Sequence, residues 1–452
     1  MRPSKTKTQG QDELFRDRLV NIINRRHALC QLAAIIDWQM LEARFGQYYS
    51  ENGRPGTPIR LMVGLTYLEH AFGLSDEEVV ARWVENPYWQ YFCGEQYFQH
   101  EFPIDPSSMS RFRHRVGEEG GEVILAATVK AGLASKAVKE SSFERVNVDT
   151  TVQPKAITYP TDAKLYNHGR EILVRLSQEY EIPLRQSYSR LGPRAEMNAG
   201  RYFHARQAKR GRREVKKLKT ILGRVSRDVG RKIEARPAAI QRAFEPVLGL
   251  IDQLLNQTRN DKNKLYSLWA PEVECIAKGK SHRKYEFGVK VGVATTNKDN
   301  FVVGMQAFHG NPFDGHTLGQ SLSQVERITG QKPERCYVDK GYRGNGIDDV
   351  AVFTAGQRRG ISPTIRKELR RRNAIEPVIG HMKEDGKLDR NHLKGLLGDK
   401  INALLCGCGH NLRIILRKLR EFLSIFGSAV EWDLPRLLTL IFHSLPECGR
   451  VC

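Results

Sequence analysis

The sequence predicts an α/β chain in which a mixed sheet flanked by helices is preceded by an all-helical segment and interrupted by a long helical insertion. Three observations carry this. Residues 57–135 show helical start and stop signals; the stretches around 143–149, 285–308 and 334–339 switch to the two-residue alternation of strands; and residues 215–254 return to apolar spacings of three and four. At 452 residues the chain is too long for one core of ordinary size. The expected division is a helical region over 1–138, a sheet-bearing region over 139–395 interrupted by a basic helical insertion over 160–270, and a C-terminal helical region over 396–452.

The first helices announce themselves by their ends. The run TPIRLMVGLTYLEHAFG stops at Gly73, and Ser75 with Glu78 forms a capping box that opens the next helix, which ends at Asn86-Pro87. Asp105-Pro106 then starts SSMSRFRHRVG. Two readings stay open for this region: a helix-turn-helix that sets Arg111, Arg113 and Arg115 near phosphates, or a plain helical domain.

In FERVNVD, Val146 and Val148 fall on one face and Asn147 and Asp149 on the other, so Asp149 is expected at a strand end. KYEFGVKVGVATT and FVVGMQAF alternate about the turn-forming Asn297-Lys298-Asp299-Asn300, as a hairpin would. A helix over TLGQSLSQVERITG follows, and ERCYVDKGY places Asp339 at the end of a second strand. Asp314 and His316, just before that helix, read as a turn and its cap in preference to a further polar contribution near Asp149 and Asp339.

Within the insertion, Val215, Leu218, Leu222, Val225 and Val229 share one helical face, and Ile240, Phe244, Val247, Ile251 and Leu254 repeat the pattern beyond Pro237, which predicts an antiparallel pair of helices. Residues 201–232 hold 13 Lys or Arg against 2 acids, with Arg212, Arg213, Lys216 and Lys217 at the heart of the run. That excess is too one-sided for a salt-bridged surface and points to DNA contact. The whole chain agrees, since 72 Lys and Arg against 51 Asp and Glu leave a net charge of +21 and favour a polyanionic partner.

A membrane role is not expected, because no apolar run approaches the roughly 18–20 residues that span a bilayer, and the N-terminus MRPSKTKTQGQDELFRDR lacks the apolar stretch of a secretory signal. A cytosolic protein is expected. The eight cysteines are scattered and read as reduced thiols. The tightest group, Cys406, Cys408 and His410, lies in the apolar run INALLCGCGHNLRIIL and fits small buried residues on a packed helix better than a zinc site, which needs a second ligand pair.

Cleavage of a phosphodiester by metal ions needs a few carboxylates on rigid elements, since two divalent ions about 4 Å apart can both activate the attacking oxygen and neutralise charge at phosphorus. Asp149 and Asp339 suit this if a sheet brings them together, and RRRNAIEPVIGHMKEDGK supplies a third acid. On a helical wheel Arg372, Glu376 and Lys383 fall within about 40°, beside an apolar stripe of Ile375, Val378 and Met382. Pro377 is tolerated only in the first turn, which would leave Arg372 in the preceding loop. Arg372 as a bidentate fork and Lys383 as a point charge suit phosphate contact, with Arg343 a further candidate close behind Asp339.

These residues resemble the insertion-sequence-five group of bacterial DDE transposases, related to the insertion-sequence-four group. GLTYLEHAFGLSDEEVVARWVENPYWQYFCG and PIDPSSMSRFRHR are similar to its helical N-terminal domain, Asp149-Thr150-Thr151 to its first catalytic block, and HGNPFDGHTL and YVDKGYRG to the segments around its second. Arg372, Glu376 and Lys383 match its Arg-x3-Glu-x6-Lys signature, the most specific motif in the chain. The resemblance implies a ribonuclease-H-like core in which Asp149, Asp339 and Glu376 are catalytic and hold Mg2+ or Mn2+. It further implies cleavage at terminal inverted repeats by water, attack of the freed 3′-hydroxyl on target DNA, a homodimer on paired ends, and a nucleoid-associated protein in a bacterial cytoplasm. Related groups carry a tyrosine where this chain has Leu369, so a hairpin mechanism that uses the tyrosine is not implied. The alternatives are another ribonuclease-H-like nuclease, which the Arg-to-Lys motif argues against, and a domesticated DNA-binding protein that does not cut, which the three acids argue against.

Overall fold

The computed structural model describes residues 17–50, 52, 56–277 and 284–443, with side chains as far as residue 421. Most of the N-terminal segment read above for a secretory signal, residues 1–16, lies outside the described residues, as does the tail 444–452. Seven helices come first: α1 (Leu19–Ile22), α2 (Ala28–Ile35), α3 (Trp38–Gly46), α4 (Ile59–Phe72), α5 (Asp76–Glu85), α6 (Pro87–Phe92) and α7 (Ser107–Ala134). Their ends follow the local chemistry. Gly73 closes α4 in the left-handed region at φ 66°, the Ser75–Glu78 capping box opens α5, and Asn86 caps α6 ahead of Pro87. A kink at Gly117, φ 64° and ψ −164°, divides α7.

Next comes β1 (Arg145–Pro154), from whose far end the chain leaves into the insertion: α8 (Asp162–Glu179), α9 (Leu191–His204), α10 (Ala208–Ile233) and α11 (Ala238–Asn256). It returns through β2 (Glu274–Ala277), β3 (Tyr285–Thr296), β4 (Val302–Phe308), α12 (Asp314–Thr329), β5 (Arg335–Val338) and β6 (Ala351–Thr354). The last helices are α13 (Pro363–Arg371), α14 (Ile375–Glu384) and α15 (Gly395–His443).

Among the described residues the strands form one sheet in the order β2-β3-β1-β5-β6, with β4 also on β3. β3 runs antiparallel to β1, while β5 runs parallel to both β1 and β6. β1 is therefore a central strand, antiparallel on one edge and parallel on the other. The expectation that Asp149 ends a strand needs correction, because β1 pairs with β3 as far as Pro154. What ends near Asp149 is the parallel pairing, whose last partners are Asn147 and Tyr337.

Two cores are present among the described residues. One runs continuously from the N-terminal helices through the sheet to α12, α14 and α15, so that Leu41, Trp83, Val148, Val293 and Leu404 belong to a single apolar cluster. The other, from Ala163 to Leu268, is internal to the insertion and uses Leu218, Leu222, Val225 and Val229 of α10 against Phe244, Ile251 and Leu254 of α11. α11 carries Pro246 in its interior.

Of the two readings left open for the first helices, Arg113 does not fit phosphate contact. It is buried and pairs with Glu69, at 3.1 Å, and with Asp76, and so is not available to phosphate; a buried arginine needs such carboxylates to offset its lost hydration. Arg111 is exposed on Ser107 and Ser108, and Arg115 lies over the ring of Tyr49. In α15, Cys406, Cys408 and His410 are all buried. A Cβ at Gly409 would come 2.3 Å from the His70 carbonyl, so this run is the seam where α15 meets α4.

Candidate active site

The two aspartates are set by register. Asn147 opposes Tyr337 as the last pair of β1 and β5, and Asp149 and Asp339 each follow two residues further along, beyond the end of that pairing. The carboxyl ends of parallel strands leave an open crevice where side chains of neighbouring strands converge. Asp339 stands just past β5 and opens a one-turn 3-10 helix over Lys340–Tyr342.

A clamp fixes the helix that leads into the third acid. On α13, Glu368 accepts a hydrogen bond from Arg335 at 3.0 Å and another from the Tyr337 hydroxyl; its carbonyl accepts from Asn297 Nδ2 at 3.0 Å, an amide that also donates to Asn147 at 2.7 Å. Arg371 Nε adds a bond to the Asn297 carbonyl at 2.8 Å. A 3-10 turn, Arg372–Ala374, then leads into α14, where Ile375, Val378 and Met382 are buried and Glu376 is exposed. Pro377 occupies the first turn, where its missing N–H costs nothing.

Arg372 joins the parts. Its side chain is 6% exposed; Nη2 donates to Asp149 Oδ2 at 2.8 Å, and Nη1 lies 3.8 Å from Asp339 Oδ1. Burial raises the pKa of Asp149, while Arg372 and the Thr150 N–H, which donates to Oδ1 at 2.8 Å, pull it down, and the charges of Asp339 and Glu376 push it up again. Asp339 and Glu376 thus both lie near enough to Asp149 for their charges to act on its carboxylate.

The donor set suits a divalent cation. Two aspartates reach a common cation from neighbouring strands, and a third carboxylate stands one helical turn beyond it. Among the described residues no three His, Cys, Asp or Glu side chains converge tightly enough to ligate one ion as they stand. The guanidinium of Arg372 takes the place between the two aspartates.

The other predicted residues lie around and away from this centre. Arg343 is exposed just past the 3-10 turn. Lys383 lines an open cleft of about 850 Å³ between α5, the start of α7 and the chain after α14, with Arg113, His114, Lys387 and Arg390. Arg212, Arg213, Lys216 and Lys217 are exposed along α10. Asp314 does not sit apart as a simple turn residue. It is the first residue of α12, accepting from Thr150 Oγ1 at 3.0 Å and from Lys290 Nζ at 2.9 Å. Lys290 was not singled out from the sequence, and Thr150 only as a member of the Asp149-Thr150-Thr151 block; strand alternation puts Thr150 on the face opposite Asp149.

Residues 17–115 match the family model described as Transposase domain (DUF772), and residues 261–412 match the one described as Transposase DDE domain. The chain belongs to the DDE transposases. A curated relative of this transposase, "Uncharacterized protein ORF8 in nfe locus" from Rhizobium meliloti, is 55% identical over 207 residues, 46% of the chain and 100% of the relative. No solved structure matches the transposase. Asp339 and Glu376 fall inside the second family match, and Asp149 falls between the two. No helix among the described residues of the transposase is long and apolar enough to cross a membrane.

Proposed function

We propose that the chain is the transposase of a bacterial insertion sequence of the insertion-sequence-five group. Its sheet and flanking helices act as a ribonuclease-H-like core that cuts DNA at the terminal inverted repeats and joins the freed 3′ ends to target DNA. The observation that supports this most directly is the Arg372 guanidinium set between Asp149 and Asp339 just beyond the end of the parallel pair, with Glu376 near enough for its charge to reach Asp149. Asp149, Asp339 and Glu376 are the residues that would hold Mg2+ or Mn2+, which supplies charge neutralisation at phosphorus and a more reactive attacking oxygen.

The chain's own cations orient the DNA. Lys383 contacts phosphate, Arg343 adds a contact behind Asp339, and Arg212, Arg213, Lys216 and Lys217 hold duplex backbone further away; Arg372, expected from the sequence to grip phosphate, is instead buried against Asp149 and serves the acids. The helices before β1, residues 1–138, serve end recognition, and the insertion, residues 160–270, serves DNA contact. The active form is a homodimer on paired ends, working at the nucleoid in the cytoplasm.

The test is a labelled inverted-repeat duplex with Mg2+. Nicking at the repeat end is expected with the wild-type chain, and Asp149→Ala or Glu376→Gln abolishes cutting while leaving the gel shift in place. Cutting that survives either substitution overturns the acid assignment. A shift without cutting by the wild-type chain favours the non-cutting DNA-binding protein.

A further inference from the structure

We propose that Asp314 is a positioning residue for the acid site, acting through Thr150 to fix the carboxylate of Asp149. This rests on the acid site described above. The connection is a short relay through the sheet. The Thr150 N–H donates to Asp149 Oδ1 at 2.8 Å on one side of β1, and the Thr150 hydroxyl donates to Asp314 Oδ1 at 3.0 Å on the other. Thr150 faces Gly292 on β3 and Lys290 lies two residues along the same face, so threonine, lysine and aspartate converge by strand geometry alone.

Asp314 is itself held. Lys290 Nζ donates to its Oδ1 at 2.9 Å and to the Pro312 carbonyl at 2.6 Å, which fixes the ammonium between the loop and the start of α12. The other oxygen, Oδ2, lies 3.2 Å from where a Cβ would sit on Gly341, in the turn that follows Asp339. Asp314 therefore touches the neighbours of both aspartates without touching either. Tyr342, buried at the end of that turn, senses the same closeness: burial raises its phenol first, and the charges of Asp149 and Asp314 raise it further.

A plainer role competes with this one. An aspartate in the first turn of a helix is stabilised by the helix dipole, and that role needs no partner. The two roles differ in what Thr150 does. A dipole partner has no use for the threonine hydroxyl, whereas a positioning residue works only through it. A direct effect of Asp314's own charge on the acid site would likewise bypass Thr150.

The experiment measures Mn2+ binding to the full chain by calorimetry or by the spectrum of the free ion, for Thr150→Val, Asp314→Ala, the double variant and Thr150→Ser. Each of the first two is expected to weaken binding roughly 5- to 10-fold. The double variant should be no weaker than the worse single, because both break one relay, and Thr150→Ser should return close to wild type. An unchanged Thr150→Val overturns the proposal, as does a double variant whose loss is the product of the singles. Asp149→Ala is the control that separates this proposal from the reading beneath it. If that variant binds Mn2+ as the wild type does, the acid site itself is wrong; if it loses binding while Thr150→Val keeps it, only the relay is wrong.

Discussion

Lys155→Met should cost about 3–5 kcal/mol, because Lys155 is the only lysine or arginine that two buried carboxylates meet among the described ion pairs. The lysine follows β1 directly and is 7% exposed. Its Nζ lies 2.8 Å from Glu272 Oε1 and 2.7 Å from Asp399 Oδ1, whose side chains are 7% and 4% exposed. Both acids keep some support when the ammonium is gone: Gly395 N–H donates to Glu272 at 2.8 Å, Asn391 Nδ2 to Asp399 at 2.7 Å, and His309 Nε2 lies 3.2 Å from Asp399 Oδ2. Neutral donors do not replace a full charge, and breaking a buried ion pair by removing one partner costs about 3–5 kcal/mol. At roughly 2–4 °C per kcal/mol for a cooperative unit of 150–250 residues, Tm should fall by at least about 6 °C, measured by calorimetry or circular dichroism. The cause can be isolated by neutralising the acids as well. Lys155→Met with Glu272→Gln and Asp399→Asn should recover more than half of the loss, since what hurts in the single variant is unpaired charge. A single variant that loses less than about 1 kcal/mol, or a triple variant no better than the single, refutes the reasoning.

Two further outcomes follow from the charges. His410 is buried against the Asn300 carbonyl and its pKa is lowered to about 4, chiefly by burial, so the unfolded chain takes up a proton at this site first as pH falls. Stability should therefore be lost from about pH 6.5 down to about pH 4, by roughly 3 kcal/mol from this residue, and His410→Gln should flatten urea-midpoint profiles over that window; an unchanged slope would falsify the assignment. Replacing Arg212, Arg213, Lys216 and Lys217 together by alanine should weaken binding to a generic duplex and reduce the slope of log K against log salt by up to about 3–4. Fluorescence anisotropy across a salt series reads this directly, and an unaltered slope would remove α10 from the DNA interface.

What could be read from the sequence was what repeats locally. Ile375, Val378 and Met382 are buried because their spacing admits one helical face, and the same logic recovered the apolar stripes of α10 and α11. The hairpin of β3 and β4 was visible for the same reason. β1 was cut short because Thr150, Thr151 and Gln153 look polar, yet a central strand covered on both faces has no need of an apolar-polar alternation; Thr151 and Gln153 are buried. β6, four residues long, leaves too little pattern to detect. The two readings of the region around Arg113 stayed open because local sequence shows a basic run but not the carboxylates at 69 and 76 that claim it. Contacts such as Arg372 to Asp149, 223 residues apart, have no local signature at all.

The same β1 strand ties the candidate site to the insertion. Asp149 stands midway along it, Lys155 follows its far end, and the insertion leaves just beyond and returns past Glu272. The lysine then closes that loop: through Glu272 it grips the returning chain, and through Asp399 it grips α15, which packs on α4, α7 and β4. An insertion held only by its two connecting segments could move freely on the sheet. Held by Lys155, the chain returning from the insertion is fixed to the end of the strand that carries Asp149. On the proposed function, loosening the Lys155 lock should shift the cleavage positions mapped on a labelled repeat duplex before it weakens the gel shift, and unchanged positions would set the lock apart from the cut.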